Sequence, residues 1–68
     1  MADGNPVIDP RTEERRREIL QAAAALFAEK GYQRTAVKEI ADPAGIAPGT
    51  IYLYFDGKGD LLMQLMKR

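Results

Sequence analysis

The stretch Thr35 to Phe55, TAVKEIADPAGIAPGTIYLYF, limits what this chain can fold into more than any other, because it sets two short helical patterns either side of a glycine turn. Thr35 is placed to cap the first of them, its hydroxyl accepting from an amide two or three residues on. Val37, Ile40, Ala41 and Ala44 then recur at helical spacing and make one face apolar. Gly45 offers the permissive backbone that ends this helix, and Pro48 suits the first position of the next, where a proline's missing amide is no loss. In that second helix Ile51 and Phe55 are four apart and point inward together, leaving Thr50, Tyr52, Leu53 and Tyr54 largely outside the apolar stripe. Short paired helices, a glycine-containing turn and a polar, aromatic outer face predict a helix-turn-helix.

Upstream, Ile19, Leu20, Ala23, Leu26 and Phe27 form a stripe at spacings of three and four in an alanine-rich run, which predicts a longer, bracing helix. It begins either at Pro10, with Asp9 as its cap, or just after Thr12. Lys30 complements the dipole at its far end, and Gly31 takes the left-handed conformation that closes it. Tyr32 follows as an apolar anchor under the helix end, its hydroxyl toward water. Downstream, Asp56-Gly57-Lys58-Gly59 is a turn, and Leu61, Leu62, Leu65 and Met66 begin another amphipathic pattern. So short a helix is marginal without partners, and the natural polypeptide is expected to continue past Arg68.

The expected fold is therefore all-α, with helices near residues 12–30, 36–43, 48–55 and 59–67: a three-helix homeodomain-like helix-turn-helix bundle plus the start of a fourth helix. Its expected core is Leu20, Ala23, Phe27, Ile40, Ile51, Phe55 and Leu62. Residues 1–10 read as a disordered tail, 11–57 as the helix-turn-helix domain and 58–68 as the start of helix four.

At 68 residues the chain is one small domain, and a domain of this size buries only about 60% of the surface its unfolded form exposes. It has no Cys and no His, which removes disulfides, the commonest zinc ligands and the usual nucleophile and base pairs, so neither a metal nor another cofactor is expected. No apolar run is long enough to span a membrane, and MADGNPVIDP lacks the basic start and apolar centre of a secretory signal, so a cytoplasmic location is expected. The formal charge is zero, an awkward balance for a nucleic-acid binder, which draws affinity from neutralising phosphates. Placement counts for more than the sum. Arg11, Arg15, Arg16 and Arg17 gather near the start, Lys38 and Lys58 flank the helix-turn-helix, and many acids sit near the first helix's N-terminus. Taken alone, Arg15 to Arg17 read as a solvated helix face.

A major groove admits an α-helix and presents base edges and thymine methyls there. Thr50, Tyr52 and Tyr54 bring hydroxyls suited to phosphate oxygens, and Leu53 suits a thymine methyl. GTIYLYF followed by Asp56-Gly57-Lys58 resembles the recognition helix of tetracycline-repressor (TetR) type transcriptional regulators, and EILQAAAALFAEKGYQRTAV resembles the same family's first helix, its turn and the start of its second. The resemblance runs from about Arg16 to Leu65. It implies that Lys38 reaches DNA, that Pro48, Gly49, Tyr52 and Leu53 face bases, and that Thr50, Tyr54 and Lys58 hold phosphates; Thr35, at the head of the helix carrying Lys38, joins that DNA-binding set. It also implies double-stranded operator DNA as a partner, a homodimer in the full-length protein, and a small-molecule effector bound by a C-terminal domain that lies outside this chain.

Some positions depart from the family pattern. Pro43 stands inside the second helix, where a proline deletes a backbone bond and crowds the carbonyl of Glu39. Ala47 replaces a Ser or Thr cap, Pro48 replaces a frequent Lys, and Gly59 weakens the first turn of the fourth helix. The expected function is the sequence-specific DNA-binding head of a dimeric, ligand-released repressor acting on a palindromic operator. Its rival is a helical interaction module that keeps the fold without binding DNA. An enzyme is not expected, because paired carboxylates such as Glu13 and Glu14 belong to an exposed helix start and no glycine-rich loop has phosphate-loop spacing.

Overall fold

A computed structural model describes residues 10–67, with α1 over Pro10–Lys30, α2 over Val37–Ala44, α3 over Pro48–Tyr54 and α4 over Lys58–Met66. All regular structure among the described residues is helical. The expected tail lies outside them, except that Pro10 already belongs to α1. α1 thus opens at the earlier of its two candidate starts, with proline at a position that needs no amide.

α1 packs against α2 and α4, and α2 packs against α3. One apolar cluster joins them all: Ile19 and Ala23 from α1, Ile40 and Ala41 from α2, Ile51 from α3, Phe55 just after it, and Leu61 from α4. The expected core needs correction at three places. Leu20 and Phe27 are half-buried at its margin and Leu62 is half-buried away from it, while Ile19, Ala41 and Leu61 are closed off completely. Successive helical residues are turned by about 100°. In each adjacent pair, Ile19 and Leu20 or Leu61 and Leu62, one residue therefore enters the cluster and the other is turned away from its centre.

The turn between α1 and α2 corrects the reading of Thr35. Gly31 takes the left-handed conformation (φ 91°), and its N–H reaches the Phe27 carbonyl at 2.9 Å. Thr35 is 1% exposed, and its hydroxyl donates backward to the Gly31 carbonyl at 2.8 Å and toward the Leu26 carbonyl at 3.3 Å. It fastens the end of α1 and does not cap α2. The N-cap of α2 is Ala36, in extended conformation with no side chain to offer.

Tyr32 is half-buried, its ring tilted 59° on Phe27 with centroids 5.2 Å apart, as its role as an anchor requires. Pro43 stands in the last turn of α2, which runs one residue beyond it to Ala44. Closure follows at once. Gly45 is left-handed (φ 76°), the Gly45 N–H meets the Asp42 carbonyl at 3.0 Å, and the Ile46 N–H meets the Ala41 carbonyl at 3.1 Å. This paired closure satisfies carbonyls that a helix end otherwise leaves open.

Candidate nucleic-acid interface

α3 is short and is held along one edge only. Ala47, extended at φ −74° and ψ 148°, leads into it without a capping side chain, Pro48 sits in its first turn, and the Thr50 N–H returns to the Ala47 carbonyl at 2.9 Å. Ile51 and Phe55 go fully into the core. On the other side Pro48, Gly49, Tyr52 and Leu53 form a continuous exposed face, with Tyr52 56% and Leu53 81% exposed. Thr50 and Tyr54 are half-buried along its borders, and Tyr54 also packs on the cluster. Its ring therefore serves the core as well as the surface.

α2 is fixed at its start by Glu39. The Glu39 carboxylate accepts from the Ala36 N–H at 2.9 Å and from the Lys30 ammonium at the end of α1. Because Ala36 has no acceptor of its own, only the returning half of a capping box exists here. The Lys30 hydrogen bond, followed by that from the Ala36 amide, holds the Glu39 pKa below the ordinary glutamate range. Lys38, beside it in the first turn of α2, is exposed and available to an anion.

Of the nine residues expected to touch DNA, the structure gathers Pro48, Gly49, Thr50, Tyr52, Leu53 and Tyr54 on or beside the open side of α3 and leaves Lys38 exposed on α2. Two are directed elsewhere. Thr35 is sealed in the fold, so its hydroxyl has no access to a phosphate. The Lys58 ammonium donates to the Tyr32 carbonyl at 2.9 Å and lies 4.4 Å from the centroid of the Tyr32 ring.

The arginine run divides as well. Arg15 pairs with Glu18 at 3.2 Å, Arg17 is exposed, and the Arg16 guanidinium lies 4.9 Å from the Phe55 ring centroid. Arg16 therefore braces the residue that ends the exposed helix, a role no charge count reveals. Glu39 stands three residues after Ala36, where a capping-box carboxylate belongs, a signal that taking Thr35 as the cap hides. Among the described residues no group of His, Cys, Asp and Glu is placed to hold a metal ion. Among the described residues no helix is long and apolar enough to cross a membrane.

A helix-turn-helix with an open aromatic face on its second helix narrows the choice of relatives, and comparison with known proteins decides it. Residues 19–65 match the family model described as bacterial regulatory proteins, tetR family. The chain belongs to that family. It is 50% identical over 50 residues to the fatty acid metabolism regulator protein of Bacillus subtilis, covering 74% of this chain and 26% of that protein. Against the HTH-type transcriptional regulator HbdR of an Aromatoleum species it is 45% identical over 62 residues, covering 90% of this chain and 27% of that one. Against the HTH-type transcriptional repressor KstR2 of Rhodococcus jostii it is 45% identical over 53 residues, 78% of this chain and 26% of the relative.

Among solved structures, the fatty acid degradation regulator FadR of Bacillus halodurans superposes with a TM-score of 0.73 at 39% identity, covering 94% of this chain and 30% of that one. The chain thus spans about a quarter of the length of these curated relatives. Over residues 19–65 it is a TetR-family helix-turn-helix domain, and the relatives it matches are transcriptional regulators and repressors, so the reading as an interaction module is not favoured.

Proposed function

We propose that this TetR-family head reads operator DNA by laying α3 in the major groove, with Pro48, Gly49, Tyr52 and Leu53 toward base edges and Lys38, Thr50 and Tyr54 toward phosphates. One observation carries the assignment of the face. Leu53 is 81% exposed and Tyr52 56% exposed, side by side on the helix whose opposite edge is sealed by Ile51 and Phe55. Such residues recover their lost burial against a partner, and thymine methyls and sugar edges supply apolar contact in a groove.

Family membership supports the remaining parts of the reading: a dimer on a palindromic operator, repression as the outcome, release by a small effector bound outside this chain, and a cytoplasmic location with the DNA. A helix-turn-helix dimer meets half-sites separated by about 34 to 36 Å or a multiple of it, so palindromy follows from two-fold symmetry.

The test is selection from a random duplex library followed by titration at two salt concentrations. Enrichment of a half-site is expected. Leu53→Ala should erode preference at one base pair, whereas Lys38→Ala should weaken every sequence alike and reduce the slope of log affinity on log salt by about 0.9, the worth of one phosphate. No enrichment, with affinity indifferent to Tyr52→Ala, Leu53→Ala and Lys38→Ala, would overturn the assignment.

A further inference from the structure

We infer that Asp56-Gly57 is a site of spontaneous backbone isomerisation: the Gly57 amide nitrogen closes on the Asp56 side-chain carboxyl to a succinimide, and hydrolysis leaves an isoaspartyl linkage between α3 and α4. The inference stands on the folded chain alone and does not depend on the DNA-binding reading above.

Ring closure needs a carboxyl that is not engaged elsewhere, a following amide that is not held in a hydrogen bond, and room for the two to meet. The turn after α3 supplies all three. Asp56 is exposed, and its carboxylate holds no hydrogen bond or ion pair among the described residues. The Gly57 N–H, just ahead of the first helical residue of α4, finds no acceptor among them either. A Cβ built on Gly57 would meet nothing within 4 Å, and glycine brings none of its own to hinder the attack.

The other described aspartates each lack a requirement. Asp42 is followed by Pro43, whose nitrogen has no hydrogen to lose. The Asp60 carboxylate accepts from the Asp56 N–H at 3.0 Å, and the amide after it, that of Leu61, donates to the Gly57 carbonyl at 3.1 Å. The fold therefore singles out Asp56 among them. Asp3-Gly4 repeats the dipeptide and lies outside the described residues.

In the closure the Gly57 nitrogen loses its proton and bonds to the Asp56 Cγ, while a C–O bond of the protonated carboxyl breaks and water leaves. Water then adds to either ring carbonyl. Breaking the bond from nitrogen to Cγ restores aspartate, whereas breaking the bond to the main-chain carbonyl carbon routes the backbone through Cβ and Cγ and frees an α-carboxylate. The mass is unchanged and no co-reactant beyond water is used. That backbone is one carbon longer between Phe55 and Leu61, both fixed in the core. The added atom falls where the Leu61 N–H meets the Gly57 carbonyl and the Asp56 N–H meets Asp60, so it loosens the first turn of α4.

The experiment ages the folded chain for weeks at neutral pH and physiological temperature, beside a synthetic peptide of residues 53–60, Gly57→Ala and Asp56→Glu. Tryptic peptide 39–58 carries Asp42 and Asp56, and peptide 1–11 reports Asp3 separately. A second form of peptide 39–58 is expected, equal in mass, resistant to a protease that cuts before aspartate at residue 56, and methylated by an isoaspartyl methyltransferase with S-adenosylmethionine. It should grow in the folded chain at a rate close to that of the short peptide. Gly57→Ala, whose methyl hinders the nitrogen, should slow it sharply, and Asp56→Glu, which would need a six-membered ring, should abolish it. The separated isoaspartyl chain should melt at a lower temperature than the unaltered one. A folded chain that stays unconverted at Asp56 while the peptide converts would overturn the inference, as would equal conversion at Asp42 or Asp60. An unchanged melt would overturn the loosening of α4.

Discussion

The two phenylalanines of this chain have different work. Phe55 is 2% exposed, belongs to the central cluster and carries the Arg16 guanidinium on its ring, whereas Phe27 is half-buried and leans on Tyr32 at the rim. Truncating a core aromatic costs about 3 to 5 kcal/mol, so Phe55→Ala is expected to unfold a chain this small. Phe27→Ala, from the margin, should lower the melting temperature and leave a folded domain. Thermal melts followed by circular dichroism separate the two, and the reverse order would contradict the packing.

Glu39 supplies a pH dependence whose sign is fixed by its partners. Lys30 and the Ala36 amide hold its folded pKa below that of the unfolded chain. Its contribution to stability is therefore complete above the ordinary glutamate value of about 4.3 and is lost as pH falls through the lower folded value. Urea midpoints of the unaltered chain and Glu39→Gln should differ at neutral pH and converge as pH falls below about 4. Added salt should narrow the gap at neutral pH, since the pair is half-exposed.

α2 is the element whose sequence most opposes its conformation. Pro43 removes the hydrogen bond that would return to the Glu39 carbonyl, a defect costing roughly 3 kcal/mol in a helix interior. Here it falls in the last turn, and the bonds from Gly45 and Ile46 close the helix immediately beyond it. The penalty is confined to one backbone bond. Pro43→Ala is expected to raise stability by about 1 kcal/mol, visible as a higher urea midpoint with unchanged m-value. A lower midpoint would mean that the proline's restriction of the unfolded chain outweighs the missing bond.

α1 shows the opposite balance, with alanine-rich propensity, an apolar stripe and a glycine stop all in agreement. It is accordingly the element against which α2 and α4 are arranged.

On the scale of the whole molecule, the proposed reading has a single copy of this chain meet one half-site through few cations, so its affinity should be weak and moderately salt-dependent. Non-specific binding on the order of 10⁻⁴ to 10⁻⁶ M is the relevant reference. Fusing the chain to a dimerising helix makes the second half-site an intramolecular event, and affinity should rise by about 10² or more when the linker lets the heads stand one helical turn apart. A spacing series of paired half-sites checks this: affinity should peak at one separation and its multiples. A flat series would show that the two heads bind independently.

Periodicity by itself determined the all-helical order, the positions of the turns and the outward face of α3, because those depend on residue type at i, i+3 and i+4 and on where glycine and proline stand. Ile51 and Phe55 inward with Tyr52 and Leu53 outward is a local consequence of helical spacing. Tertiary structure decided what spacing cannot express. Thr35 had the right chemistry to cap α2, yet a carbonyl four residues behind it in the folded turn is the nearer partner. Lys58 and Arg16 look alike as surface cations in the sequence, and each becomes a structural contact only because α4 meets Tyr32 and α1 passes over Phe55. Whether Leu61 or Leu62 enters the core depends on the rotation of α4 about its axis, set by what it packs against and not by its own residues. A helix carries its periodicity with it, but a long polar side chain takes its partner from whichever chain segment the fold brings within about 3 Å.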